Sequence, residues 1–227
     1  MANCKIESQP KLKLYYFDIK GKGEAIRLFC AYAGLELEDV RLSSYADFLE
    51  LKESGKIAFG QVPLLEVDGK HALVQTSAIL RYLSKLAPGL YPDMDPILAA
   101  KIDAALDQAT DVFTGTLVLT YSSRFGIPLD DDTKAKSYKT INEDVLPRHL
   151  TSVEKLFQDS STGWIAGTDE PSAADFEWYV QLAHYLPEKK ELNDKIKSLE
   201  EYPLLKDFIQ KFEGLEAIKE YYDKQSK

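Results

Sequence analysis

Gln61-Val62-Pro63-Leu64-Leu65-Glu66-Val67-Asp68-Gly69-Lys70-His71-Ala72-Leu73-Val74-Gln75-Thr76-Ser77 is the stretch on which the fold turns. Two short apolar runs, Pro63 to Val67 and His71 to Val74, flank Asp68-Gly69, the strongest short hairpin signal. Immediately after the second run, Thr76 to Leu86 places Ile79, Leu80 and Leu83 at helical spacing, so an amphipathic helix follows the hairpin. Before the hairpin stands a lone proline, Pro63, at the junction of a loop and a strand.

Upstream, Leu12 to Phe17 reads as a strand, Glu24 to Ala33 as a helix ending near Gly34, Leu37 to Leu42 as a second strand and Tyr45 to Ser54 as a second helix stopped by Gly55. The order is β-α-β-α-β-β-α, the thioredoxin-like arrangement of a four-stranded mixed sheet. Downstream, Ala87 through Pro96 carries three prolines, one glycine and little periodicity, which marks a linker. After it only helical patterns occur: Ile97 to about Arg124, Lys134 to about Phe157 with Pro147 inside it, Ala173 to His184, Lys189 to Leu199 and Leu204 to Phe212. The tail beyond Gly214 is polar and reads as a weak helix over the surface. The fold class expected is α+β: a thioredoxin-like domain over 1–87, a linker over 88–95 and an all-helical domain over 96–227.

Composition narrows the function classes. The chain has 227 residues, 44% hydrophobic and 29% charged, enough to bury a sizeable core. Its 28 basic and 37 acidic residues leave a net charge of −9, which argues against a nucleic-acid partner and an anionic membrane surface. No basic block is present, and the longest apolar stretch, around Val112 to Tyr121, is too short to span a bilayer. Cys4 and Cys30 lie far apart with no CxxC, which excludes a disulfide scaffold and a thioredoxin-type reductase, and the polar N-terminus has no signal region. A cytoplasmic protein is expected. His71, His149 and His184 are scattered without metal-ligand spacing, so no metal is expected.

The candidate chemistry gathers at the element boundaries of the first domain. Tyr16 ends the first strand, just before a Gly-containing turn, where its hydroxyl can donate to an anion above the sheet edge. Tyr15, on the opposite face by alternation, is the natural core tyrosine. A single loop proline ordinarily makes a plain trans turn, but the β-α-β-α-Pro-β-β order favours a cis Val62-Pro63 bond, leaving the preceding backbone as an open edge for an extended peptide. Thr76 is a good N-cap for the third helix, whose N-terminus suits a carboxylate, and Gln75 can hold the rest of an amino-acid head. Lys20, Lys22 and Lys52 are cations for a second carboxylate. These features suggest a small, extended, anionic thiol peptide. A phenolic hydrogen bond to a charged acceptor, worth about 1.5–3 kcal/mol, lowers a thiol pKa by roughly one to two units. That shift turns a thiol that is a few per cent ionised at pH 7 into one about half ionised, and the thiolate is the nucleophile. In the helical domain, Ser172-Ala173-Ala174-Asp175 reads as a capping box, which keeps Asp175 out of the site.

At this point the chain resembles the cytosolic glutathione transferases, closest to the sigma-like members that include the glutathione-dependent prostaglandin D synthases. The segments that carry the resemblance are Tyr15-Tyr16-Phe17, Gly23-Glu24-Ala25-Ile26-Arg27-Leu28, Phe59-Gly60-Gln61-Val62-Pro63-Leu64-Leu65, Asp68-Gly69 and Gln75-Thr76-Ser77-Ala78-Ile79-Leu80-Arg81-Tyr82-Leu83. The resemblance implies that Tyr16 stabilises the glutathione thiolate. It implies that Gln61 and Val62 hold the cysteinyl part beside cis Pro63, and that Gln75 and Thr76 bind the γ-glutamyl head. Lys52 would meet the glycyl carboxylate, with Phe48 and Lys22 in the same binding set. It implies a homodimer in which Asp107 of one subunit reaches the γ-glutamyl amine held by the other. The electrophile pocket is expected from Phe17, Ile19 and Gly21 with Phe113, Leu117 and Tyr121 of the first long helix. Glutathione is then a co-substrate, and conjugation to hydrophobic electrophiles, as in detoxification, is the expected reaction. A glutathione-dependent isomerase or peroxidase, or a non-catalytic ligandin or crystallin-like protein, is the alternative. The chain departs from the family where Phe48 stands in place of a frequent tryptophan and lacks its N–H donor. It departs again where Lys20 and Lys22 replace arginines of some members, because lysine makes no bidentate contact. Neither cysteine falls at the position of Tyr16, which disfavours the omega-type chemistry of a catalytic cysteine.

Overall fold

The computed structural model describes residues 9–87, 89–92 and 94–225. The first unit holds β1 (Leu12–Phe17), α1 (Gly21–Ala33), β2 (Leu37–Leu42), α2 (Tyr45–Glu53), β3 (Leu64–Val67), β4 (His71–Val74) and α3 (Thr76–Leu86). The sheet order is β2-β1-β3-β4, with β1 parallel to β2 and antiparallel to β3. Register follows the alternation of side chains: Tyr15 sits opposite Val40 on β2 and Leu64 on β3, and Leu14 opposite Asp39 and Leu65. Leu12, Leu14 and Tyr16 are buried on one face of β1. Tyr15 and Phe17 point to the other, where they pack with Phe48, Val62 and Val74 over Leu42, Leu51, Ile57 and Leu64.

The hairpin forms as its sequence predicts. Asp68 and Gly69 both take positive φ (53° and 64°), and Lys70 N–H closes the turn on Val67 C=O. The Asp68 carboxylate also accepts from Lys11 N–H, tying the turn to the start of β1. Val62-Pro63 is cis, as expected. In this unit three expectations need correction. First, α1 begins at Gly21 rather than Glu24. Second, Tyr16, at 8% exposure, is more buried than half-buried Tyr15, whose ring lies beneath the Lys13 and Lys56 ammonium groups. Third, Thr76 is the first helical residue of α3 and not its N-cap; Gln75 holds the cap position.

The second unit spans 89–215 and is helical. Pro88 and Asp93 of the expected linker, and Cys4, lie outside the described residues. The elements are α4 (Pro96–Thr120), a 3-10 turn (Ser122–Phe125), α5 (Asp131–Thr140), α6 (Leu146–Gln158), α7 (Ala173–Val180), α8 (Leu186–Glu188), α9 (Asp194–Ser198) and α10 (Pro203–Glu213). The expected helix 134–157 is not continuous: a π segment, Ile141–Val145, separates α5 from α6. A second π segment, Gln181–Tyr185, joins α7 to α8. Each runs into a Leu-Pro pair, Leu146-Pro147 and Leu186-Pro187. The missing proline N–H interrupts the i→i−4 ladder there, and the wider π turn absorbs the mismatch without ending the helix. The helix expected over 189–199 shortens to α9 because Asn193 caps it, its side chain accepting from Ile196 N–H.

The core of this unit is aromatic. Trp164, Phe176, Tyr179, Phe208 and Phe212 make ring contacts, and Trp178 Nε1 donates to Ala105 C=O on α4 at 2.9 Å. The capping box at Ser172 is present: Ser172 N–H and Oγ–H both donate to one Asp175 carboxylate oxygen, and Ile165 N–H donates to the other. The tail forms α11 (Glu216–Gln225), which packs on α1 and lies in the same compact unit as it. Among the described residues no helix is long and apolar enough to cross a membrane.

Candidate active site

Tyr16 lies where β1 gives way to α1. Lys22 N–H, in the first turn of α1, donates to Tyr16 Oη at 2.9 Å. A phenol oxygen that accepts from a main-chain N–H at a helix N-terminus is polarised towards its anion, which makes its own O–H a stronger donor. Two glycines make the approach possible. A Cβ on Gly21, where φ is +40°, would stand 2.7 Å from Tyr16 Oη, and one on Gly23 would stand 2.6 Å from the Tyr16 ring. The Gly21-Lys22-Gly23 spacing therefore lets an aromatic ring lie against the first turn of a helix.

Lys22 also joins two of the predicted pieces. Its N–H meets Tyr16, and its C=O accepts from Thr76 Oγ1 at 3.3 Å. Thr76 is only 4% exposed, so its hydroxyl is committed to this link rather than to capping. Gln75 beside it is exposed and takes φ +74°, a conformation that non-glycine residues rarely adopt and that clusters at ligand sites. Its C=O accepts the first helical hydrogen bond of α3, from Ile79 N–H.

The other predicted residues of the first unit fall into two sets. Lys52, in the last turn of α2, lays its chain across Gly60, where a Cβ would come within 3.3 Å of its Cε. Gln61 next to it is exposed, Val62 is half-buried and Pro63 is buried. Phe48 packs into the small core beneath α2, with its ring 5.5 Å from Phe17 and 5.5 Å from Tyr45. Phe17 is half-buried between Phe48 and Tyr16, and Ile19 is 59% exposed. In the second unit, Asp107 and Tyr121 are exposed, Leu117 is half-buried, and Phe113 is buried against Tyr185 at 4.2 Å. Burial pushes the Tyr185 phenol up to about 12, and its hydroxyl pairs with Thr116 Oγ1 at 2.7 Å.

Sequence reading missed Arg27. It is 2% exposed and its guanidinium carbon lies 5.7 Å from the Tyr16 ring centre. It pairs with Glu24 and Asp39, and Asp39 also pairs with Arg41. The signal was present: Glu24 and Arg27, three residues apart, interrupt an otherwise apolar helical run, and charged residues are seldom buried unless paired. Cys30 offers no alternative nucleophile, since burial pushes its thiol up to about 12. Among the described residues no group of three or more histidine, cysteine or acidic side chains is placed to hold a metal ion.

Comparison with known proteins identifies the family of the chain. Residues 12–85 match the family model for the glutathione S-transferase N-terminal domain, and residues 121–225 match that for the C-terminal domain. The chain is 33% identical over 218 residues to hematopoietic prostaglandin D synthase of Gallus gallus, covering 96% of this chain and 98% of that protein. It is 30% identical over 217 residues to a glutathione S-transferase of Anopheles gambiae, covering 95% and 97%. Among solved structures, prostaglandin synthase D of Nilaparvata lugens superposes with a TM-score of 0.78 at 27% identity, covering 95% and 98% of the two chains. The glutathione S-transferase of Ascaris lumbricoides superposes with a TM-score of 0.73 at 30% identity, covering 95% and 97%. The chain belongs to the glutathione S-transferase family: it is an enzyme whose co-substrate is glutathione.

Proposed function

We propose that this member of the glutathione transferase family ionises the glutathione thiol through the Tyr16 hydroxyl and adds the thiolate to hydrophobic electrophiles, as in detoxification. The observation that carries the reading is the double use of Lys22: its N–H is bound to Tyr16 Oη and its C=O to the Thr76 hydroxyl. One residue thus fixes the thiol-activating group against the start of the helix that receives the γ-glutamyl head.

The remaining roles follow the peptide's length. Gln61 and Val62, beside cis Pro63, offer backbone groups to the cysteinyl residue. Gln75 and Thr76 take the γ-glutamyl carboxylate, and Asp107 of the partner subunit in a homodimer takes its amine. Lys52 and Lys22 answer the glycyl carboxylate, with Phe48 as an apolar support. For the electrophile, the first unit offers Phe17, Ile19 and Gly21, and the second offers Phe113, Leu117 and Tyr121. In the reaction, sulfur forms a bond to the electrophilic carbon while a leaving group departs, or a proton is taken up at the neighbouring carbon. The cytoplasm is the compartment proposed, and the net charge of −9 argues against a nucleic-acid partner and an anionic membrane surface.

A second reading, glutathione-dependent isomerisation, is favoured by the similarity to two prostaglandin D synthases. The test is turnover with glutathione of an activated aryl halide, an α,β-unsaturated aldehyde, a lipid endoperoxide and an organic hydroperoxide. Conjugation of the first two is expected to dominate. Dominant endoperoxide isomerisation would install the second reading, and retention on glutathione resin without any turnover would install a ligandin.

A further inference from the structure

The turn between β1 and α1 has little apolar packing of its own: Asp18 and Ile19 are exposed, and Lys20 is half-buried. Yet it must deliver Tyr16 Oη to within 2.9 Å of Lys22 N–H. What holds it is polar. Arg27 Nη2 donates to Phe17 C=O at 3.4 Å and Nη1 to Ile19 C=O at 2.9 Å. The same guanidinium is anchored through Nε to both oxygens of Asp39, at 3.0 and 3.1 Å, and through Nη1 to Glu24 at 3.2 Å. Asp39 in turn accepts from Arg41 Nε at 2.8 Å, and Arg41 Nη1 reaches Asp18 at 3.0 Å. Three consecutive residues, Phe17 at the end of β1 and Asp18 and Ile19 of the turn, are thus gripped by one network rooted in α1 and β2.

We propose that Arg27 is a positioning residue for thiol activation: by holding the main chain of Phe17 and Ile19, it sets the place of the Tyr16 hydroxyl over the first turn of α1. The proposal rests on the reading of Tyr16 as the thiol-activating group. Burying an ion pair and its neighbours carries a desolvation cost that an apolar cluster of equal volume avoids, so the network does more than fill space. The planar fork matters, because lysine offers one point charge and cannot hold two carbonyls and a carboxylate in one plane. The charged and titratable groups around it are Glu24 on α1, Asp39 and Arg41 on β2, Asp18, Lys20 and Lys22 in the turn and first helical turn, and Tyr221 on α11.

The test is a double-mutant cycle in the full chain: wild type, Tyr16→Phe, Arg27→Lys and the double variant, with kcat/KM for an activated aryl halide measured from pH 6 to 9 and glutathione affinity measured separately. The expected result is that Arg27→Lys loses about tenfold near pH 6.5, loses less as pH rises, and loses nothing further once the Tyr16 hydroxyl is gone. Glutathione affinity should stay within about twofold. An equal loss with and without the Tyr16 hydroxyl, or no loss at all, would overturn the positioning role. If wild type and Tyr16→Phe share one pH profile, the reading of Tyr16 itself fails and the Arg27 proposal falls with it. If Arg27→Lys does not fold, Asp39→Asn, which loosens the fork and leaves the guanidinium in place, runs the same cycle with the same expected and contrary results.

Discussion

Gly23 shows how much of this site depends on a missing atom. Its Cα approaches the Tyr16 ring so closely that a Cβ would stand 2.6 Å from Cδ1 and 2.7 Å from Cγ. Gly23→Ala must therefore push the ring away from α1 and lengthen the Lys22 N–H contact. The expected outcome is a loss of about tenfold or more in kcat/KM near neutral pH, with a stability cost of about 1–3 kcal/mol from overpacking. Unchanged kinetics in a folded Gly23→Ala would mean that the ring's place is not set by this turn. Sequence made the position of Tyr16 legible, near the end of an apolar strand just before a glycine-containing turn. It left Arg27 and the half-exposure of Tyr15 unread, because both depend on which strand lies beside β1, and β2 brings Asp39 and Arg41 from a distance of many residues.

Elements with their own punctuation were the most legible: the Asp68-Gly69 hairpin, the strand pattern of β1 and β2, and the amphipathic α3 all stand where periodicity and turn chemistry put them. The capping box before α7 was legible for the same reason, and it carries a stability prediction. Burial pushes the Asp175 carboxyl from 3.8 up to about 6, against the opposing pull of its hydrogen bonds from Ile165 and Ser172. The folded chain thus holds this proton more tightly than the unfolded one. Its contribution to stability is fully present below pH 3.8 and is lost as pH rises to 6, by about 3 kcal/mol. Asp175→Asn, which does not titrate, is expected to lose its disadvantage against wild type by that amount between pH 4 and 7. Urea unfolding followed by tryptophan fluorescence reads this directly, since Trp164 and Trp178 both lie in the second unit. A pH-independent difference between the two would remove Asp175 as a titrating group. The two π segments were not legible in the same way: a proline inside a helical pattern signals an interruption, but whether it kinks, stops or widens the helix is decided by packing.

The whole molecule is acidic, with a core in each unit, and its C-terminal helix α11 belongs to the first. That assignment was beyond the sequence, because a short polar helix with one buried residue, Ile218, gives no hint of which surface receives it. The proposed homodimer gives Asp107 its role. Asp107→Ala is expected to weaken glutathione binding by about tenfold, as the loss of one charge-assisted hydrogen bond predicts, while sedimentation and thermal unfolding stay as in wild type. Unchanged affinity would remove Asp107 from the site. The central claim, that Tyr16 ionises the thiol, is tested most directly by the ultraviolet thiolate absorbance of bound glutathione, titrated over pH in wild type and Tyr16→Phe. The account predicts a wild-type midpoint about one to two units below that of the free thiol, restored to the free value in the variant. A wild-type midpoint equal to that of free glutathione, or an equally low one in Tyr16→Phe, would contradict it.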